Sequence, residues 1–438
     1  MSEQLIVLLN GREIGRVTRD PRGRLSLLYA EDWREAEGAF PLSLSMPLAA
    51  AEHGHKPVEA FLWGLLPDND NVLNRWAQRF QVSARNPFAL ISNVGEDCAG
   101  AAQFVRPERL EDMVAENPPE IDWLDEAGIA ERLRALRADH SAWRIPRDTG
   151  QFSLAGAQPK TALLYENGRW GVPSGRTPTT HILKPPTGDF DGHAENEHVC
   201  MHLGSALGLI TASSQVMRFE DQVAIVIERY DRERTDDGIV RVHQEDMCQA
   251  LAIPPTLKYE NEGGPGVRAI ADLIRTASGR PDEDVRRFVD ATAFNWLIGG
   301  TDAHAKNYSM LIGAEGRARL APLYDIASIL PYDFDPQKIR SAMKIGGEYR
   351  MRDIGPRQWR KLANDIRMDA NALVQRIHEF ARLVPDALSD IGTKAKAEGL
   401  DHPLIERLSA ALTERAKRSA LSIEADLAAA AKSPSAPA

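Results

Sequence analysis

The chain has 438 residues, more than a single hydrophobic core usually supports, so we expect two or three packed units with a cleft between them. It carries 53 Lys and Arg against 63 Asp and Glu, and this formal net charge of −10 argues against a protein that coats nucleic acid broadly. Its three widely spaced cysteines form no CxxC pair, which argues against a disulfide framework or a thiolate zinc site and fits a reducing cytoplasm.

Residues 1–105 are predicted to form a small α+β unit. The strand-like runs LIVLL, LSLLY and FALISNV alternate with turn signals at Asn10-Gly11 and Pro21-Arg22-Gly23. The first residues, MSEQLIVLLNGREIG, lack the basic leader and cleavage site of a signal peptide. No stretch approaches the roughly 20 apolar residues that cross a bilayer, so we expect a soluble protein with no membrane partner.

Residues 106–232 are predicted to hold a linker helix and then a strand-rich lobe. The linker contains Pro118-Pro119 and the run EAGIAERLRALRA, which indicates a surface helix. The runs QFSLAG, KTALLYENGRWGV, THILKPP and VAIVIERYDR indicate strands, with a hairpin turn at Asn167-Gly168. One helix, AENEHVCMHLGSALGL, interrupts them and should stop near Gly208.

Residues 233–430 have a predominantly helical pattern, broken by a hairpin-like patch at 308–321, and residues 431–438 are predicted to be a disordered tail. The overall expectation is an α+β fold with two lobes, the first rich in strands and the second helical, preceded by a small N-terminal subdomain.

The strongest chemical signal is the run FNWLIGGTDAHAKNYSMLI, in which an apolar helix breaks into a polar loop. Asp302 and Asn307 lie five positions apart there, the spacing of the protein-kinase catalytic loop. An aspartate can accept the proton of an attacking hydroxyl, and an asparagine oxygen can bind Mg²⁺. Asp325, after the predicted hairpin, would return close to Asn307 as a second metal ligand. Without a cation these groups would repel, so the site requires Mg²⁺ with ATP.

Alone, each of these aspartates would more often be a turn or helix cap, and it is their order and spacing that favours catalysis. The strand-rich lobe contains candidates for the rest of an ATP site. Lys184 at a strand end would bind phosphates, and Glu195 or preferably Glu197 would orient it. A loop of mostly small residues would cradle phosphate, and a hinge would hold adenine. These candidates are Leu154, Ala155, Gly156, Ala157 and Gln158 in the loop, and Glu228 and Tyr230 at the hinge.

The chain resembles the HipA family of bacterial kinase toxins. The segments SLAGAQPKTALL, THILKP, NEHVCM, ERYDR, HQEDMCQALAI, GGTDAHAKNYSML and LAPLYDIAS occur in the order of that family. The N-terminal segments PLSLSMPL, FLWGLLPDND and GEDCAGAAQF are similar to its leading domain, so the resemblance covers nearly the whole chain.

This resemblance implies a serine/threonine protein kinase with Asp302 as base, Asn307 and Asp325 as Mg²⁺ ligands and Lys184 as the phosphate-binding lysine. It implies that Ser153 is autophosphorylated, which would repel ATP from the adjacent loop. It also implies a HipB-like helix-turn-helix antitoxin, contact with DNA only through that antitoxin, and an aminoacyl-tRNA synthetase, such as glutamyl-tRNA synthetase, as target. Pro159 departs from the family, which often has an acidic residue there.

Other interpretations remain open. His304, two residues after Asp302, is a further candidate for the nucleotide site, and because its position is similar to that of a histidine in the loop of lipid kinases, a small-molecule or lipid kinase stays an alternative. The chain could instead be a non-catalytic co-repressor subunit of a DNA-binding antitoxin complex. The basic residues Arg134, Arg137, Arg144 and Arg147 are either a local DNA contact or a solvated helix face. A metal site at His193, His198 and His202 is a further alternative.

Overall fold

The computed structural model describes residues 3–115, 120–139, 152–186, 188, 190–236 and 238–432. The N-terminal unit is an antiparallel sheet of five strands in the order β4-β3-β2-β1-β5, covered by helices. The predicted turn at Asn10-Gly11 joins β1 to β2, with both residues in the left-handed region that Asn and Gly tolerate. The strands are β1 (Glu3–Leu9), β2 (Arg12–Arg19), β3 (Leu25–Tyr29), β4 (Glu52–His53) and β5 (Ala102–Val105), and the helices are α1 (Glu31–Arg34), α2 (His55–Gly64), α3 (Asp70–Phe80), α4 (Pro87–Val94) and α5 (Leu110–Val114).

The strand predicted from FALISNV is wrong, because this segment is helix α4. The Asn86 side chain caps the helix by accepting a hydrogen bond from the Ala89 N–H at 3.2 Å, and Pro87 occupies the first turn, where its missing N–H has no cost. An apolar run this short does not distinguish a strand from a buried helix. The preceding Asn86 and Pro87 are the residues that indicate the start of a helix here.

The strand-rich lobe is a sheet of six strands in the order β10-β11-β9-β7-β8-β6. Asn167 and Gly168 form the predicted hairpin turn between β7 and β8, and the interrupting helix α7 ends just before Gly208, whose φ is +87°. The elements are β6 (Ile121–Leu124), α6 (Glu126–Ala138), β7 (Thr161–Glu166), β8 (Arg169–Pro173), β9 (His181–Lys184), α7 (His193–Ala206), β10 (Ser214–Phe219) and β11 (Gln222–Glu228).

Strand β11 separates two hydrophobic cores. Ala224 and Val226 face a core shared with the N-terminal unit, whereas Ile225 and Ile227 face the core of the helical lobe. This follows from the two-residue period of a strand, since a run that is apolar at every position is buried on both faces. The end of the sheet that carries the site is therefore held from both sides.

The remainder of the chain is mainly helical, as expected. It contains the predicted hairpin, β15–β16, whose first strand also pairs with β14. The hairpins β12–β13 and β17–β18 were not predicted, because these short, charge-rich strands lack an alternating apolar pattern. The elements are β12 (Arg232–Thr235), β13 (Gly238–Arg241), β14 (His243–Asp246), α8 (Met247–Ala250), α9 (Val267–Ala277), α10 (Pro281–Ile298), β15 (Ser309–Ile312), β16 (Ala318–Leu320), β17 (Arg340–Ile345), β18 (Glu348–Arg350), α11 (Pro356–Asp365), α12 (Ala370–Ala397) and α13 (Pro403–Lys432).

The N-terminal unit touches both lobes. Besides sharing a core with the strand-rich lobe, it meets the helical lobe where the Leu44 N–H donates to Glu245 Oε1 at 2.7 Å and Gln249 Nε2 donates to the Phe61 carbonyl at 3.0 Å. The unit is thus a bridge across the two lobes rather than an appendage to one of them.

Two further expectations concern the ends and the exterior of the chain. The last helix reaches Lys432, and residues 433–438 of the predicted tail lie outside the described residues, as do Pro118-Pro119 of the linker. Within the described residues, none of the helices combines the length and the apolar character needed to span a bilayer.

Candidate active site

Lys184 lies at the end of β9 and makes two ion pairs, one within the strand-rich lobe and one with the helical lobe. Its Nζ donates to Glu197 Oε1 of α7 at 2.8 Å and to Asp325 Oδ1 at 2.7 Å. Burial alone would disfavour the ammonium, but Asp325 and Glu197 outweigh it and raise the pKa of Lys184. Burial likewise works against the Asp325 carboxylate, yet Lys184 holds its pKa well below the usual range. Glu195 is also buried, but Glu197 is the glutamate that contacts the lysine.

The loop after α10 carries Asp302 and Asn307. Gly299, with a φ of +70°, ends the helix, and a short 3₁₀ turn (Ala305–Asn307) follows. The amide nitrogen of Asn307 donates to the backbone carbonyl of Asp302 at 2.8 Å, which ties the two ends of the loop together. The Asp302 side chain is 64% exposed, and one of its oxygens accepts a hydrogen bond from the Tyr259 hydroxyl. Its carboxylate is therefore accessible from outside the protein.

The hairpin β15–β16 brings Asp325 back beside this loop, as predicted. The Tyr324 hydroxyl donates to the Lys306 carbonyl at 2.7 Å and accepts from Ser309 Oγ at 2.7 Å, fastening the returning chain to the catalytic-loop candidate. Asp325 itself has a φ of +57°, in the left-handed region that is costly for a residue with a side chain. Such strain persists where the surroundings fix a functional side chain.

The loop of small residues runs under the N-terminal unit. Leu154 is buried, Ala157 is exposed, and Ala155 and Gln158 are half-buried. Gly156 has a φ of +99°, a backbone conformation that favours glycine, and a Cβ there would come within 2.7 Å of Lys160 Nζ, so that amine would have to shift.

Ser153, directly before that loop, is fully buried. Its hydroxyl donates to the Leu65 carbonyl at 2.7 Å, and its N–H donates to the Asp97 carbonyl at 2.9 Å. Both acceptors belong to the N-terminal unit. Because the Ser153 hydroxyl is buried, it can meet a phosphate donor only if the segment around Ser153 moves away from the N-terminal unit.

Lys160 is a second lysine in the site that the sequence analysis did not single out. Its Nζ donates to the Ala155 carbonyl at 2.8 Å. Burial, together with the charge of Lys184, lowers the pKa of Lys160 to about 7. The signal that could have found it is its place at the end of the small-residue loop, immediately before an apolar strand.

The hinge candidates and His304 occupy different environments. Glu228 is exposed at the end of β11, while the Tyr230 ring packs on Tyr324, with centroids 5.8 Å apart, and its hydroxyl donates to Gln244. His304 is buried, its ring meets Tyr259 edge to face at 4.8 Å, and burial lowers its pKa. Tyr230 thus lies next to the residue that precedes Asp325, and His304 lies under Asp302.

A buried ionic network behind the hinge was missed by the sequence analysis. Arg229 Nη2 bonds Asp231 Oδ2 at 2.9 Å, and Arg232 Nη2 bonds Asp97 Oδ1, from the N-terminal unit, at 2.9 Å. Arg241 also reaches Asp97 at 3.2 Å. Burial opposes both carboxylates, but the three guanidiniums hold the pKa of Asp97 down at about 2. From the sequence, the motif ERYDR predicted only a strand end and a hinge. In the structure its charged side chains link the hinge, the N-terminal unit and strand β13.

Two of the alternatives find no support in the described ranges. They contain no group of three or more His, Cys, Asp or Glu side chains placed to hold a metal, and His198 instead hydrogen-bonds Ser214 at 3.0 Å. In the basic patch, Arg134 pairs with Glu220 and Asp221. Arg144 and Arg147 lie outside the described residues.

These features define a protein-kinase-like protein. The strand-rich lobe holds a buried lysine–glutamate pair, and the helical lobe next to it carries an Asp-x-x-x-x-Asn loop. The predicted α+β two-lobe fold is confirmed by a solved structure, that of HipA from Shewanella oneidensis in complex with HipB and operator DNA. It superposes with a TM-score of 0.82 at 25% identity, over 96% of this chain and 98% of that one.

Family models agree with this fold. The HipA N-terminal domain matches residues 5–105, and the HipA-like C-terminal domain matches residues 152–388. The chain belongs to the HipA family. It is 37% identical to the putative kinase Y4mE of Sinorhizobium fredii, over 96% of this chain and 99% of that protein. It is 29% identical to the serine/threonine-protein kinase toxin HipA of Shewanella oneidensis, over 83% of each chain. The resemblance drawn from the motifs is thereby confirmed, and with it membership in a family of kinases.

Proposed function

We propose that the chain is an ATP-dependent serine/threonine protein kinase and the toxin of a toxin–antitoxin pair. The observation that carries the proposal is Lys184, whose ammonium bonds Glu197 and Asp325 at once. A lysine fixed between a helix glutamate and the aspartate after the catalytic hairpin is the arrangement by which kinases bind nucleotide phosphates.

In this proposal the chemistry is divided among a few side chains. Asp302 accepts the proton of the attacking hydroxyl, since its carboxylate is exposed and a substrate can approach it. Lys184 and the loop 154–158 bind the phosphates, the lysine by charge and the loop by backbone N–H groups that small side chains leave accessible. Phosphoryl transfer depends mainly on such positioning and electrostatic stabilisation.

Asn307 and Asp325 are the proposed Mg²⁺ ligands. The donor set fits a hard cation, because it consists of one amide oxygen and one carboxylate whose side chain is 35% exposed. Asn307 uses its nitrogen to bond Asp302, and this leaves the oxygen for the metal. When bound, Mg²⁺ would neutralise charge on the transferring phosphate.

The adenine would lie at the end of β11. The backbone near the exposed Glu228 offers polar groups to its edge, and Tyr230 supplies an aromatic face. We assign His304 a supporting role, because its buried ring packs under Tyr259 and Asp302.

Autophosphorylation of Ser153 provides the test of this function. Incubation with Mg²⁺ and γ-labelled ATP should place label on Ser153, located by mass spectrometry, and EDTA should abolish it. Ser153→Ala should lose that label while still consuming ATP. Label transfer that persists in EDTA, or no labelled protein at all, would contradict the proposal. A phosphate on Ser153 adds nearly two negative charges where the hydroxyl is now buried, so the loop would be displaced and ATP binding would weaken.

Nucleotide binding should take up a proton at Lys160. With its pKa lowered to about 7, this amine is mostly neutral at pH 8, and phosphate anions would favour the charged form. Binding at pH 8 should therefore absorb close to one proton, and the uptake should fall as the pH drops below 7, where Lys160 is already charged. Calorimetry of ATP binding in two buffers with different ionisation enthalpies measures this. Lys160→Met should remove the dependence on buffer, and an unchanged dependence would refute the assignment.

Our proposals for the phosphorylated protein and for the binding partner rest on family membership and not on the geometry of the site. We propose an aminoacyl-tRNA synthetase, such as glutamyl-tRNA synthetase, as the cytoplasmic target. We also propose a HipB-like helix-turn-helix antitoxin as the partner through which DNA is met, since the similar Shewanella protein was solved with HipB and operator DNA. Phosphoproteomics after induced expression tests the target. Growth arrest that a co-expressed antitoxin relieves supports the pairing, whereas an active kinase without growth arrest would favour a metabolic or lipid substrate.

A further inference from the structure

The N-terminal unit contacts the active site at several points, and one of them is the short segment 67–69. The Asp68 N–H donates to the carbonyl of Gly156 at 3.1 Å, and Pro67 forms an isolated parallel bridge with the same glycine. Asn69 Nδ2 approaches the carbonyl of Ala157 at 3.5 Å. This segment of the N-terminal unit therefore holds the small-residue loop through its backbone and through the side chain of Asn69.

The side chain of Asp68 points the other way, to two lysines of the helical lobe. Its Oδ2 lies 3.1 Å from Lys258 Nζ, and its Oδ1 lies 3.8 Å from Lys306 Nζ. The carboxylate is only 11% exposed. Burial disfavours its charge, but Lys306 and Lys258 outweigh burial and lower the pKa of Asp68. Asp68 is thus a buried carboxylate of the N-terminal unit that pairs with two lysines of the helical lobe.

The two lysines depend on Asp68 to different degrees. Lys306 has further partners, since its Nζ lies 3.0 Å from Asp246 Oδ2 and 3.2 Å from the Gly64 carbonyl. Among the described residues, Lys258 makes its only ion pair with Asp68. Removing the Asp68 charge should therefore release Lys258 and leave Lys306 largely in place.

Lys258 belongs to the segment that positions Asp302. Its carbonyl accepts a hydrogen bond from the Ala305 N–H at 3.3 Å, inside the catalytic loop. The next residue, Tyr259, donates its hydroxyl to Asp302. A displacement of Lys258 would move both the backbone support of the loop and the hydroxyl that orients the base.

We propose that Asp68 is a positioning residue for phosphate transfer, which acts through Lys258 and Tyr259 on Asp302 while its backbone secures the phosphate loop. This inference rests on the proposed kinase function. It makes the N-terminal unit a working part of the active site, because the geometry of the base is set by a carboxylate that the two kinase lobes do not contain.

The test compares four purified variants of the full chain with wild type in ATP turnover and in labelling of Ser153. Asp68→Asn keeps the shape and the backbone N–H but removes the charge, and Tyr259→Phe removes the hydroxyl. Each should lower kcat about tenfold, the effect expected when a hydrogen bond to a charged group is lost. The KM for ATP should change less than about twofold, since the backbone bond to Gly156 remains. The matched control is Asp70→Asn, at an exposed position two residues away.

The double variant Asp68→Asn/Tyr259→Phe separates positioning from a merely structural role. If Asp68 acts through Tyr259, the double variant should lose about as much kcat as either single variant. Losses that multiply to about a hundredfold, or an Asp68→Asn enzyme that matches Asp70→Asn, would overturn the inference. A wild-type chain without ATP turnover would instead refute the proposed function itself. Thermal midpoints of all variants should be recorded, and a kcat loss that follows the midpoint would also count against positioning.

Discussion

Replacing Asp302 by asparagine should lower kcat for phosphate transfer by on the order of 10²–10⁴, the usual contribution of a positioned general base. The amide has almost the shape of the carboxylate and can still accept the Tyr259 hydroxyl, so the loop should keep its geometry. The side chain is 64% exposed, and surface changes of this kind alter the free energy of unfolding by less than about 0.5 kcal/mol. The expected result is therefore a folded protein that binds ATP and fails to transfer phosphate.

The measurement is single-turnover transfer of γ-labelled phosphate, with binding of a fluorescent ATP analogue as the control. ATP affinity should remain close to that of wild type, because Lys184 and the loop 154–158 are untouched. A variant that keeps wild-type kcat would show that another group accepts the proton. A variant that loses ATP binding would show that Asp302 holds the nucleotide instead.

Replacing Asp231 by asparagine should destabilise the folded chain by about 3–5 kcal/mol, the cost of breaking a buried ion pair from one side. Asp231 bonds Arg229 through both of its oxygens and also accepts the Gly100 N–H at 2.7 Å. Without its charge, three buried guanidiniums would share the single carboxylate of Asp97. Burial leaves the excess positive charge without solvent to stabilise it.

Urea unfolding followed by circular dichroism measures this loss. Asp236→Asn, at an exposed position close in sequence, is the matched control and should stay within about 0.5 kcal/mol of wild type. A loss below about 1 kcal/mol for Asp231→Asn would mean that water enters and screens the network. Because Gly100 belongs to the N-terminal unit and donates to Asp231, the variant should also weaken the contact between that unit and the hinge, where Asp97 would remain as the ionic link.

The sequence predicted which candidate side chains lie near one another better than it predicted the strands around them. Asp302, Asn307 and Asp325 were identified by spacing, because a hairpin of known length has few ways to return to its starting loop. The hairpins β12–β13 and β17–β18 have no such constraint, since their pairing depends on neighbours distant in sequence. The boundaries at residues 105 and 232, and the roles assigned to the site residues, stay predictions.

What the sequence could not indicate is the contribution of the N-terminal unit. Asp68 in LPDND has the appearance of a turn residue, and Lys258 and Lys306 that of solvated lysines. Only the fold brings them together, because contacts between residues far apart in the chain leave no local pattern. Lys160 was missed for a related reason, since its lowered pKa comes from burial and from the charge of Lys184, 24 positions away in the chain.

The contacts of the N-terminal unit with both lobes also have a consequence for folding during synthesis. Asp68 meets Lys258 across 190 positions, and Gly64 meets Lys306 across 242. At roughly 5–20 residues per second, a ribosome needs about 10–50 seconds to make that intervening chain. During this interval the leading unit is outside the ribosome with its inner face uncovered. Nascent chains of this enzyme should therefore depend on chaperones more than their size suggests.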